Sequence, residues 1–371
     1  MKVVAYANGW ISGIISVPGY VSAGWCGNAS ALAAALPALL AEYERGAAPA
    51  QPVAARAALD LRHAAVDERA SVVRMLADLH LYWSDQRLAW NASEWDCETT
   101  LVPAEALWLP DVELLNGASG ASGAGGAGGD GSLRARLSAA GDVEWIKRID
   151  VAVPLALDLR AWPRDLQTAV FKFGSREHTA DELDLRISDY KYATVWESGS
   201  WLIESVRGAE EAARRVVAWR LALRRRAAAH ALAGAAVLAT AVLLLIAAAA
   251  QPQSRRAPLC ACAAFTAALW LISALLRLPG SSTYPELLVA MGGVCGVAGA
   301  WSCAAALAAR LARLPGPVPP RLAALVLAAP PCCSLPEDDG GSAWAAPAQL
   351  LDNVLRALLA VTLLVLVCLA L

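Results

Sequence analysis

Four histidines (His63, His80, His178 and His230) and nine cysteines are the side chains in this sequence best suited to metal ligation or nucleophilic chemistry. Their spacing supports neither. The histidines are scattered, and Cys260-Ala261-Cys262 is too close and too apolar for a zinc site. Cys260, Cys262, Cys295, Cys303 and Cys368 lie in apolar stretches, where cysteine behaves as a small hydrophobe. Only Cys26 and Cys97 fall in the polar half; in an oxidising compartment they could pair, and two lone thiols fit the spacing equally. Motifs of the G-x-S-x-G and H-E-x-x-H kind are absent, so the sequence points away from an enzyme and implies no cofactor. Gly117 to Gly131 is glycine-dense, but no Lys-Ser/Thr follows it, so it reads as a flexible linker and not as a phosphate cradle. A net charge of -2 argues against a nucleic-acid partner.

Two sequons, Asn28-Ala29-Ser30 and Asn91-Ala92-Ser93, offer glycosylation acceptors if this half of the chain is lumenal. Lys2, the apolar run Val3 to Val21 and the small-residue site Val21-Ser22-Ala23 fit a signal peptide over 1–23. Four apolar runs follow later, over about 227–250, 257–276, 287–309 and 354–371, each long enough to cross a bilayer core of about 30 Å as a helix. Gly292, Gly293, Gly296 and Gly299 in the third run are small enough to let neighbouring helices approach. Arg255, Arg256, Arg310, Arg313 and Arg321 place their segments in the cytoplasm by the positive-inside rule, including a short loop over 310–350. Both chain ends are then outside. The Arg-rich stretch Arg214 to Arg226 opposes this, but a domain already exported by a signal peptide escapes the rule.

The elements ahead of the spans are of another kind. From Ser71 to Ser205, short segments rich in β-branched, aromatic and Leu residues alternate with Pro, Gly, Asn and Asp, as in Leu79 to Trp90, Val143 to Val153 and Val170 to Phe173. Val151, Val153, Leu155, Leu157 and Leu159 trace one face of a strand. Residues 31–45 predict a short amphipathic helix, and Glu210, Glu211, Arg214 and Arg215 predict a surface helix. The fold class expected is a β-sandwich extracellular domain of the ligand-binding type over 24–226, then an all-α four-helix transmembrane domain over 227–371.

Seven strings in register carry a resemblance. They are Trp83-Ser84-Asp85-Gln86-Arg87-Leu88-Ala89-Trp90-Asn91, Trp108-Leu109-Pro110-Asp111, Gly141-Asp142-Val143-Glu144-Trp145, Asp158 to Gln167, Phe171-Lys172-Phe173-Gly174-Ser175, Glu197 to Trp201, and Arg224-Arg225-Arg226. Together with four spans they resemble the pentameric ligand-gated (Cys-loop) channels, in particular nicotinic acetylcholine receptor subunits, over roughly residues 70–371. In that family two cysteines close the loop around Trp162-Pro163; Leu155 and Ala169 stand at those positions. An aromatic before proline favours the cis peptide, so the loop still reads as a knuckle. Asp165 and Arg226 could make an electrostatic contact there, and a solvated Asp in a turn fits as well.

The resemblance also locates an aromatic cage for a quaternary ammonium. Its positions hold Asp78, Leu115 and Arg176, so the cage is degenerate, and the adjacent cysteine pair of agonist-binding subunits is missing from the segment between Trp201 and Arg224. The second span is expected to line the pore with Arg255, Pro258, Cys262, Phe265, Leu269, Ile272 and Leu276, where an apolar ring could gate by dewetting; the alternative is plain packing. Arg255 stands where cation-selective members carry glutamate. The resemblance thus implies an auxiliary subunit of a heteropentamer in the postsynaptic plasma membrane. Its partners would be membrane lipids and other receptor subunits, which bind the acetylcholine-like neurotransmitter. A non-conducting, sequestering subunit is the alternative.

Overall fold

The computed structural model describes residues 36–118, 131–179, 181–188, 199–211, 216–280, 283–327 and 343–370. The expected signal peptide, Cys26, Asn28 and most of the glycine-rich linker lie outside the described residues. The chain divides into two compact units: Met1–Leu157 with Leu166–Arg225, and Asp158–Asp165 with Arg226–Leu371.

The first unit is a β-sandwich. Its strands are β1 (Val53–Asp67), β2 (Val72–Ser84), β3 (Thr99–Pro103), β4 (Val112–Leu114), β5 (Arg134–Ser138), β6 (Asp142–Pro154), β7 (Leu166–Ser175), β8 (Leu183–Ile187), β9 (Trp201–Glu211) and β10 (Val216–Arg225). One sheet runs β3-β5-β6-β2-β1-β8 and the other β4-β7-β10-β9. Alternate residues explain the layering, since successive side chains leave a strand on opposite faces. Val73, Met75, Ala77, Leu79, Leu81 and Trp83 of β2 are buried, as are Phe171 and Phe173 of β7 and Val217, Trp219, Leu221 and Leu223 of β10. Phe173 meets Trp219 edge-on with ring centroids 5.5 Å apart, one of the two favourable aromatic geometries. Cys97 is disulfide-bonded, which removes the lone-thiol reading; its partner lies outside the described residues.

Three local expectations are corrected in this unit. The segment from Leu79 to Trp90 leaves the sheet at Ser84, because Asp85 turns back to accept the Arg87 N–H and caps a 3-10 turn, Gln86–Leu88. The alternation from Val151 to Leu159 is a strand only to Pro154; Leu155, Leu157 and Leu159 keep their alternate burial beyond the strand's end. Proline has no N–H to continue a ladder. Glu210 and Glu211 are not helical: they end β9 and pair with Val217 and Val216 in an antiparallel hairpin. The charge spacing that suggests a helix is outweighed by β10, whose Val216, Val217, Trp219, Leu221 and Leu223 need a sheet neighbour. Of the predicted helix over 31–45, residues 36–41 are helical among those described.

The second unit is helical: α1 (Ala228–Ala250), α2 (Gln253–Arg277), α3 (Glu286–Leu311), α4 (Pro320–Leu327) and α5 (Ala345–Ala370). Four of these are long and apolar enough to cross a membrane. α2 packs on α1 and α3, and α5 on α3. The core joins Ala241, Leu245 and Ala248 of α1, Cys260 and Ala263 of α2, and Val294, Ala298 and Trp301 of α3. Its Ala content brings the helix backbones close, which is how helices associate in lipid. Of the glycines expected to serve that purpose, Gly292, Gly296 and Gly299 face open space within this chain. The close approach is at Gly234, where a Cβ would lie 3.3 Å from the Trp270 ring and 3.4 Å from Leu287. α5 starts nine residues before the expected fourth span. A polar pair explains why that extension folds: Asp352 is buried in an ion pair with Arg256 of α2, and Arg256 also donates to the Gln251 carbonyl at 2.7 Å.

Candidate functional site

Leu115 and Arg176 come together at one end of the four-stranded sheet. The Leu115 N–H donates to the Lys172 carbonyl at 2.8 Å, and its side chain lies on Gly174, where a Cβ would sit only 3.0 Å from Leu115 Cδ1. Arg176 follows β7; its Nε stands 3.5 Å from Glu113 Oε2 and it donates to the Leu114 carbonyl at 3.4 Å. Beneath them Asp111 accepts from Ser175 Oγ at 2.6 Å and from the Glu177 N–H, and lies 2.8 Å from His178 Nδ1. Burial raises the Asp111 pKa, but these hydrogen bonds outweigh it and hold the carboxyl below its ordinary value. His178 meets the Trp108 ring edge-on, and Trp108 in turn meets Trp83. Both tryptophans are buried. A leucine and paired charges thus stand together at this end of the sheet.

Asp78 is on the other sheet. It lies directly opposite Asp60 in the β1–β2 register, and Arg62 bridges the two at 2.8 Å and 3.0 Å while Arg148 reaches Asp78 at 2.9 Å. Both carboxylates are on the outward side of their strands yet almost fully buried. Burial pushes Asp60 up, and one of its oxygens has no hydrogen-bond partner; for Asp78 burial is overcome by the two guanidinium groups, and the pKa falls. Within one chain, then, Asp78 does not join Leu115 and Arg176. The hairpin that ends the site is tied down by Lys172 Nζ, 2.8 Å from Glu211 Oε1.

At the other end of the same sandwich lies a contact that the sequence did not flag. Three consecutive arginines look alike; Arg226, exposed, keeps an interaction of its own. Arg225 is instead the buried one: its guanidinium donates to Glu68 Oε1 at 2.6 Å and lies 4.4 Å over the Trp201 ring. The signal was available, because Leu221, Leu223 and Arg225 share the inward parity of β10.

The Trp162-Pro163 loop belongs to the helical unit. Its Trp162-Pro163 peptide is cis. Trp162 packs between His230 of α1 and Trp270 of α2, with ring centroids 5.9 Å and 6.3 Å away. The Arg160 carbonyl accepts the Glu286 N–H at the start of α3, and Thr283 Oγ1 accepts the Leu159 N–H and donates to Asp158. Hydrogen bonds from Arg160, side chain first, hold Asp158 at a pKa of about 2. Asp165 is buried, which overturns the reading of a solvated turn residue. Leu155 and Ala169 are buried in the sandwich.

On α2 the seven residues expected to line a pore fall on one stripe. Arg255, Pro258, Cys262, Phe265, Leu269, Ile272 and Leu276 are all exposed in the single chain, at alternating steps of three and four. Arg256, Cys260, Ala263, Ala267 and Ala274, on the opposite face, are buried. Phe265 is 63% exposed and Leu276 81%, large apolar side chains that a monomeric soluble helix would hide. Among the described residues no three His, Cys, Asp or Glu side chains converge on a possible metal site.

Residues 33–227 match the family described as the neurotransmitter-gated ion-channel ligand binding domain. Among curated relatives, the chain is 32% identical over 146 residues to the neuronal acetylcholine receptor subunit alpha-3 of Bos taurus, covering 38% of this chain and 28% of the relative. It is 30% identical to subunit alpha-2 of Gallus gallus, covering 38% and 27%, and 31% identical over 178 residues to subunit alpha-6 of Rattus norvegicus, covering 46% and 35%. The matched stretch is therefore about a third or less of each relative's length. A family match over more than half of the chain, a two-sheet sandwich and four helices able to cross a membrane agree: the chain belongs to the Cys-loop, neurotransmitter-gated ion-channel family as a divergent, nicotinic-like, multi-pass membrane member.

Proposed function

We propose that this chain is an auxiliary, non-agonist-binding subunit of an acetylcholine-gated-type pentameric cation channel. In this reading it passes on the effect of neurotransmitter bound at neighbouring subunits and lies in the postsynaptic plasma membrane, with the N-terminal domain and the C-terminus extracellular. The observation that carries the reading is Leu115 seated on Gly174 beside the Arg176–Glu113 pair. A quaternary ammonium needs open aromatic faces; here it would meet an aliphatic side chain and a guanidinium. Support for a retained channel frame comes from the α2 stripe and from the Trp162 contacts with α1 and α2.

The alternative, a non-conducting subunit that sequesters partners, is favoured by the stripe's composition. From Pro258 to Leu276 it carries no charged or hydroxyl side chain, and Arg255 at its start repels cations. Surface labelling of agonist-binding subunits expressed with and without this chain separates the two. Joint surface delivery with partner number maintained supports the auxiliary role, and a fall in partner number supports sequestration. An absence of any joint complex contradicts both.

A further inference from the structure

The sandwich places the Asn91 sequon at a defined pole. In the β2–β6 ladder, Val72 pairs with Pro154 at one end and Ser84 with Asp142 at the other, a span of about 40 Å at roughly 3.3 Å per residue. Arg225, where the chain leaves the sandwich, contacts Glu68 in the turn just before Val72. Asn91 follows Ser84 at the opposite end, fixed there by the Trp90 N–H donating to the Ala139 carbonyl and by Trp90 Nε1 donating to the Cys97 carbonyl. Both Asn91 and Ser93 are exposed. The Asn91 side-chain oxygen accepts the Ser93 N–H at 3.1 Å, which leaves the amide nitrogen directed elsewhere.

We propose that Asn91 is an N-glycosylation acceptor, carrying a glycan at the pole of the sandwich opposite Arg225. The donor class is a lipid-linked oligosaccharide diphosphate. Transfer forms a bond from Asn91 Nδ2 to the anomeric carbon of the first sugar and breaks that carbon's bond to the diphosphate, which leaves with its lipid; Nδ2 gives up one proton to a base of the transferase. Folding accommodates the product, because Asn91 and Ser93 are exposed on the turn beyond the end of β2. A sequon arises readily by chance; an exposed acceptor and hydroxyl residue on a tethered turn at a free pole is the additional requirement met here.

The proposal rests on the extracellular placement given above. The test is the full chain expressed in a eukaryotic secretory system, treated with peptide N-glycosidase and resolved by mobility. Asn91→Asp keeps the side-chain oxygen that caps the turn, Ser93→Ala keeps Asn91, and Ser93→Thr restores the sequon. The expected result is one step of glycosidase-sensitive shift lost in Asn91→Asp and Ser93→Ala, retained in Ser93→Thr, and retained in Asn28→Gln. Protease protection in sealed vesicles runs alongside. A protected sandwich with no step lost in Asn91→Asp overturns the proposal alone; a sandwich digested from the cytosolic side overturns the extracellular placement with it.

Discussion

Arg225 holds Glu68 at 2.6 Å while its guanidinium covers the Trp201 ring at 4.4 Å, so one cation at the end of β10 is fixed by both a turn and a neighbouring strand. Arg225 is buried and the Glu68 side chain about a quarter exposed. Its neighbour Arg224 makes an equally short pair with Glu204, but with both partners open to solvent.

That difference sets the first expectation. Arg225→Ala leaves a partly buried carboxylate without its cation and strips a cation–π contact, and should cost about 1–3 kcal/mol once screening at Glu68 is allowed for. Arg224→Ala should cost under about 1 kcal/mol. Thermal unfolding of the purified chain in detergent measures both, and a cycle with Glu68→Gln should show the Arg225 and Glu68 effects to be less than additive.

Asp60 gives a pH dependence of definite sign. Burial raises its folded-state pKa above the ordinary 3.8, with Arg62 pulling the other way. Between those two values the folded chain binds more protons than the unfolded one, so this group's contribution to stability falls as pH rises from about 4 through its folded pKa. Asp60→Asn, which mimics the protonated form, should therefore stabilise the sandwich at pH 7, with the gain shrinking towards pH 4. Denaturation midpoints at the two pH values read this out.

Trp162 fills the space between His230 and Trp270 and is nearly buried. Trp162→Ala should destabilise the helical unit by about 3–5 kcal/mol, as large-to-small changes at buried aromatics do. Trp162→Phe should recover much of this, because it keeps a ring against both neighbours. Denaturant midpoints of the solubilised chain separate the variants.

The α2 stripe predicts a thiol contrast. Cys262 is exposed on the stripe and Cys260 is buried against α1 and α3. A charged, membrane-impermeant thiol reagent should modify Cys262 in assembled channels and leave Cys260 untouched, with mass spectrometry of tryptic peptides identifying the site. Protection of Cys262 in every assembly would place the stripe against lipid or protein instead of water.

Much of the fold is legible in the sequence because it rests on signals that repeat over many residues. The alternation in β2 and β10 and the length of the apolar runs survive any single ambiguous position. What escapes is decided by pairing partners, near or far in sequence. Glu210 and Glu211 have helix-like charge spacing, and only the neighbouring β10 makes them a strand. Ala345 to Leu351 carries no strong span signal; Asp352 extends the helix by finding Arg256, almost a hundred residues away. Leu115 and Arg176 stand out by type alone, but the Asp111–His178–Trp108 group beside them does not, since His178 lies more than sixty residues from the segment that carries both Trp108 and Asp111.

The central claim is that this chain joins a channel without supplying its agonist site. Voltage-clamp recording with surface labelling tests it most directly, in cells expressing the chain alone, agonist-binding nicotinic subunits alone, and both, with Arg255→Glu as a further arm wherever this chain is expressed. The account predicts no agonist-evoked current from the chain alone and a changed current when partners are present. It also predicts that Arg255→Glu shifts the mixed channel's reversal potential towards greater cation preference. An agonist-evoked current from this chain by itself would contradict it.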